Sequence, residues 1–532
     1  MPLSTRLVTR LVSIAFSLSC GFAGGASLAF SQDVLTYHNN TFRTGLNTET
    51  TLTPGNVNSA SFGKLYTLSL DGRVDAEPLY LSAIPIAGSG THNLLIVATE
   101  HGSVYTFDAD TGSPIWHIST LKSGETPSDD RGCSQVTPEI GITSTPTIRL
   151  AGLTAVIYTV AMSKDTSGEY HQRLHALSAA TGSELYKGPV DITAKFPGTG
   201  DNSSGGEVVF DPAQYKERSA LLLTGGVVYL AWASHCDIRP YTGWIMGYNA
   251  TTLTQETVIN VTPDGNEGAI WGAGGGLTTD NLGNIFFLDA NGIFDTTLNS
   301  KGFPSSGDYG NAFIRLTTTG GLAVADYFEM DNGVTESAGD VDLGSGGAIL
   351  LPAMKDASGT TRNLAAGAGK DGNLYLVDRS SMGKFNSGSN NIYQELPGAL
   401  PGGIWSQPAY VRNKLYFGPV GQPILAFQFK DAKLLTTPVA KTSNTFPYPG
   451  ATPSISFNVG QDAIVWAVEN TNPAVLYAYN AVNLQELYNS NQAADGRDHF
   501  GAGNKFITPL IANGKVYVGT TNGVSVFGLL PK

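Results

Sequence analysis

"GAGKDGNLYLVDRSSMG", residues 367–383, reads as an apolar strand, a tight turn at Asp371-Gly372, a second strand and another turn. Its period-2 alternation, with Gly, Asn and Asp at the turn, specifies strand rather than helix. The same shape occurs at residues 97–116, "VATEHGSVYTFDADTGSPIW". Aligned on the turn glycine, Lys370 stands where Glu100 stands in the earlier copy. One repeat unit therefore carries a different side chain at a shared position. Lys370 is either a polar turn residue on the surface or part of something the other repeats lack.

Similar units begin near residue 76 ("AEPLYLSA"), 141 ("GITSTPTI"), 218 ("RSALLLTGGVVYLAW") and 271 ("WGAGGGLTTDNLGNIFFLD"). Four more begin near 345 ("SGGAILLPA"), 404 ("IWSQPAYVRNKLYFGP"), 452 ("TPSISFNVGQDAIVWAVE") and 505 ("KFITPLIANGKVYVGT"). Each opens on an apolar strand and returns on a β-branched or aromatic one. A lone sheet of this kind has two faces to bury, and radial packing of many copies buries both. The reading is an all-β chain, a β-propeller of eight four-stranded blades. Seven is the alternative count, because the units at 271–344 and 345–403 are irregular. "FGKLYTLSL", residues 62–70, is a single strand ahead of the first full unit, and the last unit runs out of chain after "GVSVFGLL". The single strand is expected to complete the last blade and close the ring, which removes an open edge. The layout is a signal peptide over 1–31, an N-terminal segment over 32–61 and one propeller over 62–532. Long connections at 122–140, 187–217, 293–310 and 331–344 are expected to crowd one end of the central channel.

The first residues carry Arg6 and Arg10 ahead of an apolar stretch too short and too interrupted for a membrane span. Ala29 and Ser31 suit cleavage near Gln32, which implies a secreted or periplasmic protein. Cys20 offers a lipoprotein as the alternative, although Ser17 is a poor residue three places before it. Cleavage leaves Cys133 and Cys236. In an oxidising compartment they are expected to form a disulfide, the alternative being two buried free thiols. There is no C-x-x-C, haem-attachment or zinc pattern, so no haem is expected on this chain. A net charge of −13 without Lys/Arg clusters argues against nucleic acid and a polybasic membrane surface as partners.

The turns "ADTGSPIW" (109–116) and, more loosely, "AATGSELY" (179–186) resemble the A-x-T-G-x-x-x-W signature of the eight-bladed pyrroloquinoline quinone (PQQ) dehydrogenases. The resemblance covers most of the mature chain at blade level. The same blades also occur in cofactor-free scaffolds, so the site residues matter more than the repeat. In that family a planar quinone with three carboxylates lies on a Trp. It chelates a calcium held by Glu, Asn and Asp, and a cationic side chain touches its quinone oxygens. The ring needs an aromatic platform, and calcium needs oxygen ligands. The metal polarises the carbonyl that receives the hydride, and a carboxylate takes the alcohol proton.

Residue by residue, the resemblance makes Trp271 the platform and Asn291, in the "DANG" turn, the amide ligand. Asp237, in "ASHCDIRPYTGW", lies within one residue of the family's calcium-binding Glu. "TESAGDVDLGSGG" (335–347) resembles the segment with the catalytic aspartate and offers Asp340 and Asp342 as base, with Asp340 also a metal ligand. Lys370 matches the cation, since "YLVDR" follows it as "YVLDR" does in the family. Trp405, in "GGIWSQPAY", follows in the expected order near the channel. Each of these residues also has a bland reading, as turn Asn-Gly, blade-core Trp or solvated Asp.

There are departures. The family's adjacent cysteine pair is here Cys133-Ser134, and Pro138-Glu139 stands where an arginine is expected. His171 and His175 are four apart in a strand, too far apart for one zinc, and are read as structural. Two functions follow. One is an exported PQQ- and calcium-dependent dehydrogenase of an alcohol or sugar, passing electrons to an external acceptor. The other is a cofactor-free secreted propeller that binds a glycan, peptide or protein. Either is expected to be a monomer.

Overall fold

The computed structural model describes residues 33–531 except 153 and 459; the predicted signal peptide, with Cys20, lies outside them. Eight of the sheets have four or five strands, and each falls in one of the eight sequence units. Their first strands are Leu79–Ile86, Thr147–Ala151, Leu222–Thr224, Thr278–Thr279, Ile349–Leu350, Ala409–Val411, Ser454–Phe457 and Leu510–Ala512, here blades 1 to 8. The count is thus eight, and the irregular units at 271 and 345 are full blades 4 and 5. The protein is a β-propeller. In blade 1 the strands Gly90–Ala98 and Ser103–Asp108 are largely buried, while the last, Pro114–Ser119, is mostly exposed or half-buried. The only α-helix among the described residues is Gly333–Ala338. None of these residues forms a helix long and apolar enough to cross a membrane.

Phe62–Ser69 pairs antiparallel with Gly523–Leu529 and becomes the outer strand of blade 8, as expected. The Phe62 ring lies 5.0 Å from Tyr488 and 5.3 Å from Trp466, so the closing strand also packs on blade 7. The repeat signature has a packing cause. A Cβ added at Gly182 would lie 2.7 Å from the Trp116 ring of the preceding blade, and Gly182 has φ +71°. Trp116 also donates its Nε1 hydrogen to Ala179 O at 2.8 Å. The turn glycine is thus both conformational and the seat for its neighbour's aromatic.

The segment before residue 62 is built into the ring. Val34 exchanges backbone hydrogen bonds with Tyr80 of blade 1, and Leu35 O accepts from Ile148 N of blade 2. Thr36 Oγ1 donates to Leu221 O at the edge of blade 3. Thr41 O, Phe42 O, Thr44 O and Gly45 O accept from Thr279, Leu350, Tyr410 and Ile455 of blades 4 to 7. Asn47 Nδ2 donates to Ile511 O of blade 8. Fourteen residues (34–47) thus touch the first strand of seven blades, and Leu221 just ahead of that of blade 3, in order around the ring. At their centre Arg43, fully buried, donates to Thr36 Oγ1, Tyr37 O, Leu221 O and Leu277 O.

Candidate functional site

A cavity of about 330 Å³ is lined by Gln135, Lys216, Arg218, Ala233, Ser234, Cys236, Asp237, Trp271, Asp340, Asp342, Lys370, Trp405, Tyr448 and Phe506. Three of the four long connections contribute to it. The fourth, 293–310, packs instead on 261–265 through Tyr309 and Asp308.

Lys370 occupies the turn between Leu364–Ala368 and Leu374–Asp378 of blade 5. A Cβ at Gly369 would lie 2.4 Å from Asp342 O, so only glycine lets this turn press against the Asp340–Asp342 loop. Lys370 N then donates to Asp342 O at 2.8 Å. Its Nζ lies 2.5 Å from both Asp340 Oδ1 and Asp342 Oδ2. Burial lowers the Lys370 pKa, but the two carboxylates outweigh it and hold the ammonium above its ordinary value. Burial raises Asp342, against the Lys370 ammonium. The aspartates differ sharply in access: the Asp340 side chain is 70% exposed and the Asp342 side chain 5%.

Asn291 follows blade 4's strand Ile285–Leu288. Its backbone N–H donates to Asp342 Oδ1 at 2.7 Å and its Nδ2 to Asp340 Oδ1 at 2.9 Å. Its Oδ1 is buried and has no hydrogen-bond partner. Asp237 is exposed, and its Oδ1 accepts from Ser234 Oγ and Tyr241 Oη. Among the described residues no group of three or more His, Cys, Asp and Glu side chains is arranged to hold a metal. A calcium would therefore depend on Asn291 Oδ1 beside the carboxylates. An orphaned buried amide oxygen next to carboxylates is the donor chemistry that calcium takes.

Four aromatic rings, Trp271, Trp405, Tyr448 and Phe506, form another part of the wall. Trp271 lies 6.0 Å from Phe506, and Trp405 lies 6.1 Å from Tyr448 in an edge-on arrangement. Cys236, Asp237, Asp340 and Phe506 all hold positive φ, at 53°, 54°, 58° and 63°. Such backbone is sterically disfavoured for Cys and Phe, and its concentration at one cavity marks a place where the surrounding fold enforces geometry.

Cys133 and Cys236 are disulfide-bonded across 103 residues. The bond ties the 122–140 connection to blade 3 at the cavity wall. Glu139 does not line the cavity; it pairs with His101 at 3.0 Å. Glu100, the counterpart of Lys370 in blade 1, is buried and accepts from Gly141 N and Thr143 Oγ1. Burial, with Asp75 nearby, raises it above the usual carboxylate range. His171 and His175 pair separately with Asp165 and Glu184.

The structure therefore brings Asp237, Trp271, Asp340, Asp342, Lys370 and Trp405 to one cavity, with Asn291 bonded to both loop aspartates. Sequence reading did not single out Lys216, Arg218, Tyr448, Phe506 or Gln135. The first two carried a signal, because Lys216-Glu217-Arg218 is a charged triplet running straight into an apolar strand. Tyr448, Phe506 and Gln135 carried none.

No protein-family model matches the chain, and no curated protein sequence matches it. Solved structures do. A quinohemoprotein alcohol dehydrogenase from Comamonas testosteroni superposes with a TM-score of 0.62 at 14% identity, covering 95% of this chain and 82% of its own. The quinohemoprotein alcohol dehydrogenase ADHIIG from Pseudomonas putida HK5 gives 0.59 at 13% identity, over 94% and 81%. At such identities the likeness is one of fold: the chain has the propeller fold of quinohemoprotein alcohol dehydrogenases.

Proposed function

We propose that this chain is an exported quinoprotein dehydrogenase that oxidises an alcohol or sugar with PQQ and calcium in the cavity. One observation carries the reading. A single cavity gathers two tryptophans and a lysine bridging two aspartates, with an asparagine carrying an orphaned amide oxygen bonded behind them. The fold likeness to quinohemoprotein alcohol dehydrogenases supports it.

Trp271 is the platform for a planar ring, with Trp405 bounding the cavity. Asn291 Oδ1, Asp340 and Asp237 would be the protein's share of a calcium shell. They leave most of calcium's roughly six to eight positions to other oxygens. PQQ, when bound, supplies a carbonyl system able to accept hydride from a carbinol carbon. Lys370 would offer its positive charge to the oxygens of a bound ring. Asp340, open to the cavity, takes the proton from the substrate hydroxyl. Asp342, buried, holds Lys370 and the Asn291 backbone in place. No haem motif is on the chain, so electrons leave to an external acceptor.

Purified protein is titrated with PQQ and calcium while melting temperature and absorbance are followed. Binding at micromolar cofactor is expected, and no shift in either signal sinks the reading. Lys370→Ala is expected to weaken binding about tenfold, and unchanged affinity removes Lys370 from the site. The cofactor-free binding propeller is the second reading. The absent adjacent cysteine pair and family arginine favour it. It predicts a melting shift with a glycan or peptide and none with PQQ.

A further inference from the structure

We propose that Lys216 and Arg218 form an anion-recognition pair that selects the cavity's planar ligand by its carboxylates. The identity of that ligand rests on the quinone reading above; the pair itself does not. Lys216 lies on the short strand Tyr215–Lys216, paired with Ala233–Ser234, and Arg218 leads into blade 3. Both line the cavity at 4% and 6% exposure. Arg218 Nε and Nη1 have no hydrogen-bond partner. Its guanidinium is held 4.4 Å over the Phe506 ring, and Phe506 in turn meets Trp271. Through-space charges from Glu100 and Asp75 favour the charged forms of both cations, and Tyr448 adds to them at Arg218. Glu100 is already engaged by Gly141 and Thr143.

Two neighbouring buried cations without a contacting counter-ion are destabilising. Burial pulls Lys216 down to about 7, and Arg218 pushes the same way. Such a pair is offset by an anion that enters the cavity. Elsewhere in the cavity the charge is reversed, with two aspartates sharing Lys370. The cavity thus has a cationic part and an acidic part. It orients a ligand carrying carboxylates at one end and neutral carbonyl oxygens at the other. A neutral quinone or neutral glycan leaves Lys216 and Arg218 unpaired.

The test titrates the protein, in calcium buffer, with PQQ, with PQQ trimethyl ester and with benzene-1,2,4-tricarboxylate, reading tryptophan fluorescence and melting temperature. PQQ is expected to bind about 100-fold more tightly than its ester, the worth of charge-assisted contacts to two cations. Lys216→Met and Arg218→Met should each lower PQQ affinity about tenfold or more and leave the ester unchanged. Unliganded, each should melt no lower than the wild type, since a buried unpaired charge is gone. Lys216→Arg should keep the preference, and serves if a Met variant fails to fold. Equal binding of acid and ester by the wild type, or a preference that survives both Met substitutions, overturns the proposal and leaves the quinone reading standing. Stabilisation by the tricarboxylate that the Met variants lose, with no PQQ binding, keeps the pair and removes the quinone. No binding of any of the three overturns both.

Discussion

Asp340 and Asp342 are two residues apart and share Lys370, yet their surroundings divide the work. Asp340 is open to the cavity; Asp342 is buried, accepts from Asn291 N and packs under the blade 5 turn. Asp340→Asn is therefore expected to lower kcat by about 100-fold or more with little change in stability, because a neutral amide cannot take the substrate proton. Asp342→Ala is expected to cost about 2 kcal/mol of stability, since it leaves a half-buried ammonium and a buried N–H short of a partner. Activity assay and denaturant unfolding on both variants separate the roles, and equal effects on both refute the division. Glu77 offers a pH test at the same scale. Burial raises it to about 8, against the His38 N–H and Arg43 that favour its charged form. An unfolded glutamate ionises near pH 4.3. Between these values the folded state keeps a proton that the unfolded state has lost, so stability falls as pH rises. The unfolding free energy of wild type minus that of Glu77→Gln should fall by up to about 1.4 kcal/mol per unit across that window. A difference independent of pH rejects the buried neutral carboxyl. His38, which burial lowers to about 4, is present in both proteins and cancels.

At the scale of elements, the blade hairpin does two jobs with one shape. In blade 1 its turn buries Glu100 against the next blade; in blade 5 it delivers Lys370 to the cavity. The strands were legible because alternation of apolar and polar residues follows directly from the pleat. The destination of a turn side chain was not, because it depends on which loop lies opposite. Connection 122–140 makes the same point. Its cysteine marked a disulfide, but that the bond lands on the cavity wall follows from blade 3 being adjacent in space. Replacing both cysteines, Cys133→Ser with Cys236→Ser, frees a loop of 103 residues. On chain-entropy grounds it should cost about 2–4 kcal/mol. It should also weaken ligand binding by releasing Gln135 and the segment at residue 236 from the wall. Unfolding midpoint and PQQ affinity report the two effects, and an unchanged midpoint removes the disulfide from the stability of the ring.

For the whole molecule, the ring is held twice. Phe62–Ser69 closes it at the rim, and residues 34–47 bind every blade at or just ahead of its first strand. The rim closure was readable as a strand without a hairpin partner. The central segment was not, because residues 34–47 form no hairpin unit of their own and take their geometry from eight separate strands. A chain without residues 33–48 should lose about ten interblade hydrogen bonds, on the order of 5–10 kcal/mol. It should melt well below the full chain, and a peptide of residues 33–48 should recover part of the loss. An unaltered melting temperature would show that the outer strand alone holds the ring.

The sequence by itself determined the repeat, the closing strand and the order of the candidate site residues along the chain, and it favoured eight blades over seven and a disulfide over two free thiols. Each of these is a matter of local pattern: alternation, turn chemistry, cysteine number. Only the tertiary structure decided that six of those residues share one cavity, that Asp340 is open and Asp342 shut, and that Lys216 and Arg218 face the same space. Burial and opposition belong to pairs of residues far apart in the chain. "GAGKDGNLYLVDRSSMG" could announce a turn with a lysine on it; only the loop at Asp340–Asp342 could say what the lysine was for.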